Sequence, residues 1–84
     1  MAKDNLIVNK TFNFSLIIIK LYQFLVDNKE YVLSKQLLRS GTSIGANVEE
    51  AVGAISKKEF TSKMGISLKE ARESRYWLRL LDKS

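Results

Sequence analysis

Apolar residues recur three or four positions apart along most of this chain of 84 residues. That spacing places them on one side of a helix, whereas a half-buried strand would alternate at every second residue. The pattern predicts three long α-helices at about residues 11–28, 33–55 and 57–81, preceded by a frayed lead-in over residues 1–10. The predicted fold class is all-α, a single domain built as an antiparallel, up-and-down helical bundle.

The first predicted helix is apolar around most of its circumference. Its polar positions fall on one narrow stripe, formed by Asn13, Lys20, Gln23 and Asp27. An apolar arc this wide exceeds what one face of a small bundle needs. Either the helix is central in its own bundle, or part of the arc is an interface with another subunit. We favour the interface, because 84 residues cannot easily cover the arc. The sequence therefore predicts self-association.

The second predicted helix combines an apolar face with many small residues between positions 40 and 54. Small side chains shorten the distance between helices, so a neighbouring backbone is expected to pack closely here. A loop is the alternative, because Gly41 and Gly45 each cost a helix about 1 kcal/mol relative to alanine. The apolar spacing continues through both glycines without a phase break, which favours the helix.

Two serines are candidate helix caps. Ser34 is a candidate N-cap of the second helix, which would begin near Tyr31 or Val32. Ser56 and Glu59 form a capping-box pattern where the second periodic segment gives way to the third. The Ser56 hydroxyl would accept from the Glu59 N–H, and the Glu59 carboxylate from the Ser56 N–H.

The composition argues against an enzyme. The chain has neither histidine nor cysteine, so the commonest general base, the commonest metal ligand and the thiolate nucleophile are all missing. Gly41 and Gly45 do not form a phosphate-binding P-loop, because the Gly-Lys-Ser/Thr ending is lacking. We expect no catalytic residues, no metal site and no cofactor.

The apolar run over residues 16–26 is shorter than the roughly 20 residues that span a bilayer. The N-terminal residues do not resemble a secretory signal, because polar residues of mixed charge precede the first apolar run. We therefore expect a cytoplasmic protein that does not bind a membrane.

The formal charge of +5 is concentrated in the third helix. Residues 57–84 hold eight basic and four acidic side chains, a net charge of +4. Five cations recur at helical spacing and form a candidate interface for RNA or DNA, which we call the basic ridge: Lys69, Arg72, Arg75, Arg79 and Lys83. Tyr76 and Trp77, interleaved with it, could stack on bases. The alternative is an ordinary solvated face that Glu70 and Glu73 partly neutralise.

A second polar set lies on the second helix. Arg39, Ser43 and Asn47 are each one turn apart, and Glu50 follows three residues later. They share a face and could form hydrogen bonds and a charge pair with a neighbouring helix. A phosphate or ligand site at Arg39 is one reading, and a structural network that fixes helix register is the other. We favour the structural network.

The segment QLLRSGTSIGANVEEA, followed by the serine-capped KEFTSKMGISLKEARESRYWLRLL, resembles bacterial four-helix-bundle proteins. Some members of this family are encoded inside intervening sequences of 23S ribosomal RNA genes, and the accessory variability determinant of diversity-generating retroelements is a relative. The resemblance covers about residues 12–81 and is most specific between Gln36 and Ala51. It implies an antiparallel four-helix bundle that assembles into a homopentamer and has no known catalytic activity. The retroelement relatives are thought to bind nucleic acid and a reverse transcriptase, which implies a protein partner.

Three departures from the family pattern bear on these expectations. Gly45 stands where proline is frequent, and Glu49-Glu50-Ala51 stands where Ala-Glu-Gly is frequent. Family members also continue into a fourth helix, whereas this sequence ends at Ser84. The expectation is three long helices of a four-helix bundle lacking its fourth, either as a truncated form or with cover supplied by a neighbouring subunit. The first functional hypothesis is an oligomer that binds RNA or DNA, and the alternative is a structural protein–protein assembly module.

Overall fold

The structure, a computed structural model, describes residues 5–84 and confirms the all-α fold class. Within those residues the chain forms three helices and no strand: α1 (Leu6–Asp27), α2 (Val32–Val52) and α3 (Lys57–Lys83). Short connections at 28–31 and 53–56 reverse the chain direction between successive helices. In the described part α2 packs against both α1 and α3, which do not pack against each other. The second helix is therefore the centre of the fold.

The first helix begins earlier than its periodicity predicts. It starts at Leu6 because the Asn5 side chain caps it, accepting from the Val8 N–H at 3.2 Å. The prediction of a frayed lead-in is therefore wrong for residues 6–10, and residues 1–4 lie outside the described part. The hydroxyl of Thr11 donates to the Ile7 carbonyl at 2.8 Å, so this residue lies inside the helix rather than at its start.

The caps of α2 and α3 differ in part from the prediction. Ser34 is not an N-cap: α2 begins at Val32, and the Glu30 carboxylate accepts from the Ser34 N–H at 2.9 Å. At the start of α3, the Ser56 hydroxyl accepts from the Glu59 N–H at 3.0 Å, as predicted. The Glu59 carboxylate accepts instead from the Ile55 N–H, also at 3.0 Å. The α2 helix ends at Val52, three residues before the predicted end, because the chain must turn before Ser56 begins the next helix.

Small residues on α2 allow both neighbours to approach closely. On the α1 side, a Cβ added at Gly41 would lie 2.8 Å from Cγ1 of Ile18, and one added at Gly45 would lie 3.1 Å from the Thr11 carbonyl oxygen. On the α3 side, the buried Ser74 hydroxyl donates to the buried Ser40 hydroxyl at 2.8 Å. The small-residue helix thus has the close packing that its composition predicts.

Few large side chains are fully enclosed. The buried apolar core of the described residues consists of Ile18, Leu37, Val48 and Ala51. Many other large apolar side chains on α1 and α3 are exposed to solvent. Burial of apolar area is the main favourable contribution to folding. With a core this small, much of the apolar area of the chain does not contribute to stability.

Candidate functional site

The five cations of the basic ridge all lie on solvent-exposed positions of α3. The same helix buries Ser67, Glu70 and Ser74 against α2. Four of the ridge residues, Arg72, Arg75, Arg79 and Lys83, follow one another at steps of three or four, so the helical repeat places them together on the face turned away from α2. Lys69 lies at the side of this face. The ridge is a continuous, accessible strip of positive charge.

The two carboxylates that were expected to neutralise the ridge are instead paired with α2. Nη1 of Arg39 lies 3.1 Å from the Glu70 carboxylate, and Nη2 of the same guanidinium contacts the Glu73 carboxylate. Glu73 also accepts from the Trp77 indole N–H at 3.1 Å. Arg39 therefore holds both acids at the helix–helix contact and away from the ridge.

The pKa values of this cluster shift in the direction that its contacts require. The Trp77 indole N–H, followed by the Arg39 guanidinium, lowers the pKa of Glu73, because both stabilise the carboxylate. The hydrogen bond to Glu73 likewise raises the pKa of Arg39. The positive charge of Lys69, four residues before Glu73 on the same helix, makes a smaller contribution to the lowering of the Glu73 pKa.

Within residues 5–84, no carboxylate lies within ion-pairing distance of a basic-ridge side chain. The three ion pairs of that part are Arg39–Glu70, Arg39–Glu73 and Lys63–Glu50. Charge that is not locally compensated attracts anions over several ångströms and is available for phosphate contacts. Glu70 and Glu73 therefore neutralise the ridge less than their spacing along the helix alone indicates.

The polar residues singled out on α2 lie on one side of that helix but bond separately. The Ser43 hydroxyl donates to the Arg39 carbonyl at 2.6 Å, and the Asn47 amide donates to the Ser43 carbonyl at 2.8 Å. Glu50 pairs with Lys63 of α3 at 2.7 Å. Arg39 and Glu50 thus reach α3, whereas Ser43 and Asn47 bond to the backbone of their own helix. Sequence spacing alone could not distinguish these two kinds of partner.

The two aromatic residues beside the basic ridge, Tyr76 and Trp77, differ in accessibility. Tyr76 is 52% exposed, whereas Trp77 is half-buried and its indole N–H is engaged by Glu73. Their rings meet edge to face with centroids 5.4 Å apart. Of these two residues, Tyr76 is therefore the one whose ring is accessible enough to stack on a base.

An open apolar groove runs between α1 and α3. The apolar spacing in the sequence does not predict it. We call it the α1–α3 groove, and its lining residues come from all three helices: Lys10, Thr11, Phe14, Ile44, Ala71, Ser74, Arg75 and Leu78. The groove exists because both outer helices pack on α2 and do not pack against each other in the described residues. Helical periodicity marks Phe14, Ala71 and Leu78 as apolar-face residues, but it cannot reveal that their two faces remain apart.

The part of the chain that the structure describes offers no group of three or more acidic side chains placed to hold a metal ion. None of its helices is both long and apolar enough to cross a membrane.

Comparison with known proteins identifies one family. Its sequence model, described as 23S rRNA-intervening sequence protein, matches residues 3–84. A crystal structure of a protein with unknown function from the S23 ribosomal protein family of Bacteroides thetaiotaomicron is similar to this chain, at 52% sequence identity and a TM-score of 0.92. The match covers 93% of this chain and 73% of the Bacteroides chain. Among curated proteins none matches with significance.

Proposed function

The chain belongs to the 23S rRNA-intervening sequence protein family, and from that membership and the charge on α3 we propose a non-catalytic, oligomeric protein that binds RNA or DNA through its basic ridge. The observation that carries this proposal is the separation of charges on α3. Glu70 and Glu73 pair with Arg39, whereas Arg72, Arg79 and Lys83 are exposed on the face of α3 turned away from α2. Arginine side chains recognise phosphate oxygens through their forked N–H donors.

The expected mode of binding is contact with the phosphate backbone rather than base readout. Arg72, Arg75 and Arg79 lie along one face of α3, and their Cα atoms are separated by about 5 Å along the helix axis, so they can follow a strand of phosphates. Tyr76 is the single accessible aromatic side chain beside them in the described residues, so stacking makes a smaller contribution. We expect weak sequence preference and strong dependence on salt concentration.

Self-association is the second part of the proposal. On α1, Phe12, Leu16 and Ile19 form an exposed apolar stripe beside the face that packs on α2, and they are 57%, 46% and 38% exposed. A second copy of the chain would cover these side chains, since a contiguous apolar patch on a small protein marks an interaction site. Bringing several basic ridges together would also increase affinity for a long nucleic acid.

A matched pair of triple variants tests nucleic-acid binding. The ridge variant replaces Arg72, Arg75 and Arg79 with glutamine. The control replaces Lys20, Lys29 and Lys35 with glutamine as well, and these three lysines are exposed on other parts of the chain. Each variant loses three positive charges, so both fall from a formal charge of +5 to +2. The readout is fluorescence anisotropy of a labelled single-stranded RNA and of a duplex DNA.

We expect the ridge variant to lose affinity at least about tenfold and the control about twofold or less, because only the ridge contacts phosphates. Circular dichroism should show both variants folded. Equal losses in the two variants would mean that overall charge attracts the nucleic acid, and unchanged binding in the ridge variant would refute the proposed site.

The alternative function is a structural protein–protein assembly module that binds no nucleic acid. The exposed apolar stripe of α1 favours it, because that surface suits a protein partner and contributes nothing to phosphate binding. Wild-type protein that shows no binding to either nucleic acid at low salt, yet has the mass of an oligomer in light scattering, would select this alternative.

A further inference from the structure

We propose that the basic ridge binds unpaired strands of RNA or DNA in preference to duplexes, and that Tyr76 makes this selection by stacking on a base. The preference rests on the nucleic-acid binding proposed above and names the class of strand that the ridge takes. An unpaired strand offers phosphates and accessible base faces together, and the ridge presents a side chain for each.

Tyr76 is flanked along α3 by cations of the basic ridge. Arg72 precedes it by four residues and Arg79 follows it by three, so the helical repeat places each arginine one turn from the tyrosine on the same face. Lys69 and Lys83 stand seven residues away on either side, close to two turns. The tyrosine is 52% exposed. An accessible aromatic ring therefore has positive charge next to it in both directions along the helix.

The acidic side chain at helical spacing from Tyr76 is engaged elsewhere. Glu73 lies three residues before Tyr76, and its carboxylate contacts Nη2 of Arg39 and accepts from the Trp77 indole N–H at 3.1 Å. In the described residues, no carboxylate pairs with the arginines one turn to either side of the tyrosine. Both guanidinium groups are therefore available to the phosphates that flank a nucleotide stacked on the ring.

Stacking distinguishes the two classes of nucleic acid. In a duplex, neighbouring base pairs cover the base faces, so a protein side chain at the surface meets phosphates, sugars and base edges. In a single strand, a base can turn outward and lie on an aromatic ring, whichever base it is. Phosphate contacts are common to both classes. An exposed tyrosine among cations therefore favours the unpaired strand without adding sequence preference.

Trp77 supplies a reporter for this stacking. It is the one tryptophan of the chain, and its ring centroid lies 5.4 Å from that of Tyr76. A base stacked on Tyr76 would lie close to the indole, whereas a phosphate contact alone brings no aromatic ring to it. We expect the fluorescence of Trp77 to change when an unpaired strand binds and to stay unchanged when the strand has no bases.

Four ligands of about 12 nucleotides test the selection on the full chain. They are a single-stranded DNA, the RNA of the same sequence, the DNA strand with its bases removed, and the DNA duplex. The abasic strand keeps the phosphates, so it isolates the contribution of stacking. By fluorescence anisotropy, we expect wild-type protein to bind the base-containing single strands at least about fivefold more tightly than the abasic strand.

Substitutions of tyrosine locate the stacking residue. Tyr76→Leu should weaken both base-containing single strands at least about fivefold and leave the duplex and the abasic strand within about twofold. Tyr76→Phe keeps an aromatic ring and should retain wild-type affinity for all four ligands. The matched control is Tyr31→Leu, because Tyr31 is 53% exposed and lies at the start of α2, outside the ridge. None of these substitutions changes the charge of the protein, so the phosphate contacts are preserved.

The same measurements can overturn the selection. Equal affinity of wild-type protein for the base-containing and abasic strands would overturn it, and that comparison does not depend on how any variant folds. Equal losses of single-strand and duplex binding in Tyr76→Leu would overturn it as well, because the tyrosine would then support the ridge and not a base. A Tyr76→Leu loss confined to the RNA or to the DNA strand would support the selection and identify which unpaired strand the ridge takes.

Failure of the selection is distinguishable from failure of the proposed function. Binding that shows no dependence on bases, yet is lost when Arg72, Arg75 and Arg79 are replaced, would remove the role of Tyr76 and leave nucleic-acid binding at the ridge. Absence of binding to all four ligands would overturn both.

Discussion

Gly41 of α2 lies directly against Ile18 of α1, so close that a Cβ at position 41 would stand 2.8 Å from Cγ1 and 2.9 Å from Cγ2 of the isoleucine. Ile18 is 1% exposed, and as a β-branched residue in a helix it strongly prefers a single χ1 rotamer. The contact between the first two helices is therefore set by the absence of a side chain at position 41.

Two glycine-to-alanine variants should change stability in opposite directions. Gly41→Ala gains about 1 kcal/mol of helix propensity but suffers overpacking of about 1–3 kcal/mol, so we expect a net loss of about 1 kcal/mol. Gly65→Ala gains the same propensity in α3, where nothing lies within 4 Å of the added Cβ, and should stabilise by about 0.5–1 kcal/mol. Urea denaturation measures both. Equal stabilisation by the two variants would show that Ile18 does not restrict this position.

The turn after α1 offers a stabilising change. Lys29 adopts φ 66°, the left-handed conformation, and the Glu30 N–H bonds to the Leu25 carbonyl at 2.8 Å. This is the Schellman arrangement, in which glycine is preferred at the position of Lys29. Lys29→Gly should raise the free energy of unfolding by about 1 kcal/mol. The control Lys35→Gly removes the same charge inside α2 and should lower it by about 1 kcal/mol. A loss of stability in Lys29→Gly would contradict this account of the turn.

The Glu73 cluster predicts a specific acid dependence. Because the folded-state pKa of Glu73 is lowered, its contribution to stability is fully present above the unfolded-state pKa of about 4.3 and is lost as the pH falls through the folded-state value. Trp77→Phe removes the largest cause, so the pKa of Glu73 should rise toward its ordinary value in a carboxyl carbon NMR titration. Lys69→Gln should shift it less. A Glu73 pKa that is the same in wild type and Trp77→Phe would exclude the indole contact.

Much of the fold follows from local pattern. The apolar period predicts all three helices, the small residues of α2 predict the close approach at Gly41 and Gly45, and Ser56 marks the start of α3. These features depend on neighbours within one helix or on side-chain size, both of which are visible in the sequence.

Other features depend on how the helices are placed, which local pattern does not contain. The start of α1 at Leu6 does not follow from the apolar spacing, because the helix is begun by the Asn5 cap, which lies before the periodic segment. Glu70 and Glu73 pair with Arg39 because of the register of α2 against α3. Helical spacing alone would equally allow both carboxylates to face the solvent. The α1–α3 groove forms because α1 and α3 do not pack against each other in the described residues. The residues of the basic ridge are therefore recognisable in the sequence, whereas the pairing of Glu70 and Glu73 with Arg39 and the α1–α3 groove require the tertiary structure.

The salt dependence of RNA affinity tests the proposed role of the basic ridge most directly. For single-stranded RNA, log K should fall with log salt concentration by about 0.7 for each phosphate contact. Removing Arg72, Arg75 and Arg79 together should therefore make the slope shallower by about 2, while the variant lacking Lys20, Lys29 and Lys35 should keep the wild-type slope. Identical slopes in all three proteins would contradict nucleic-acid binding at the basic ridge.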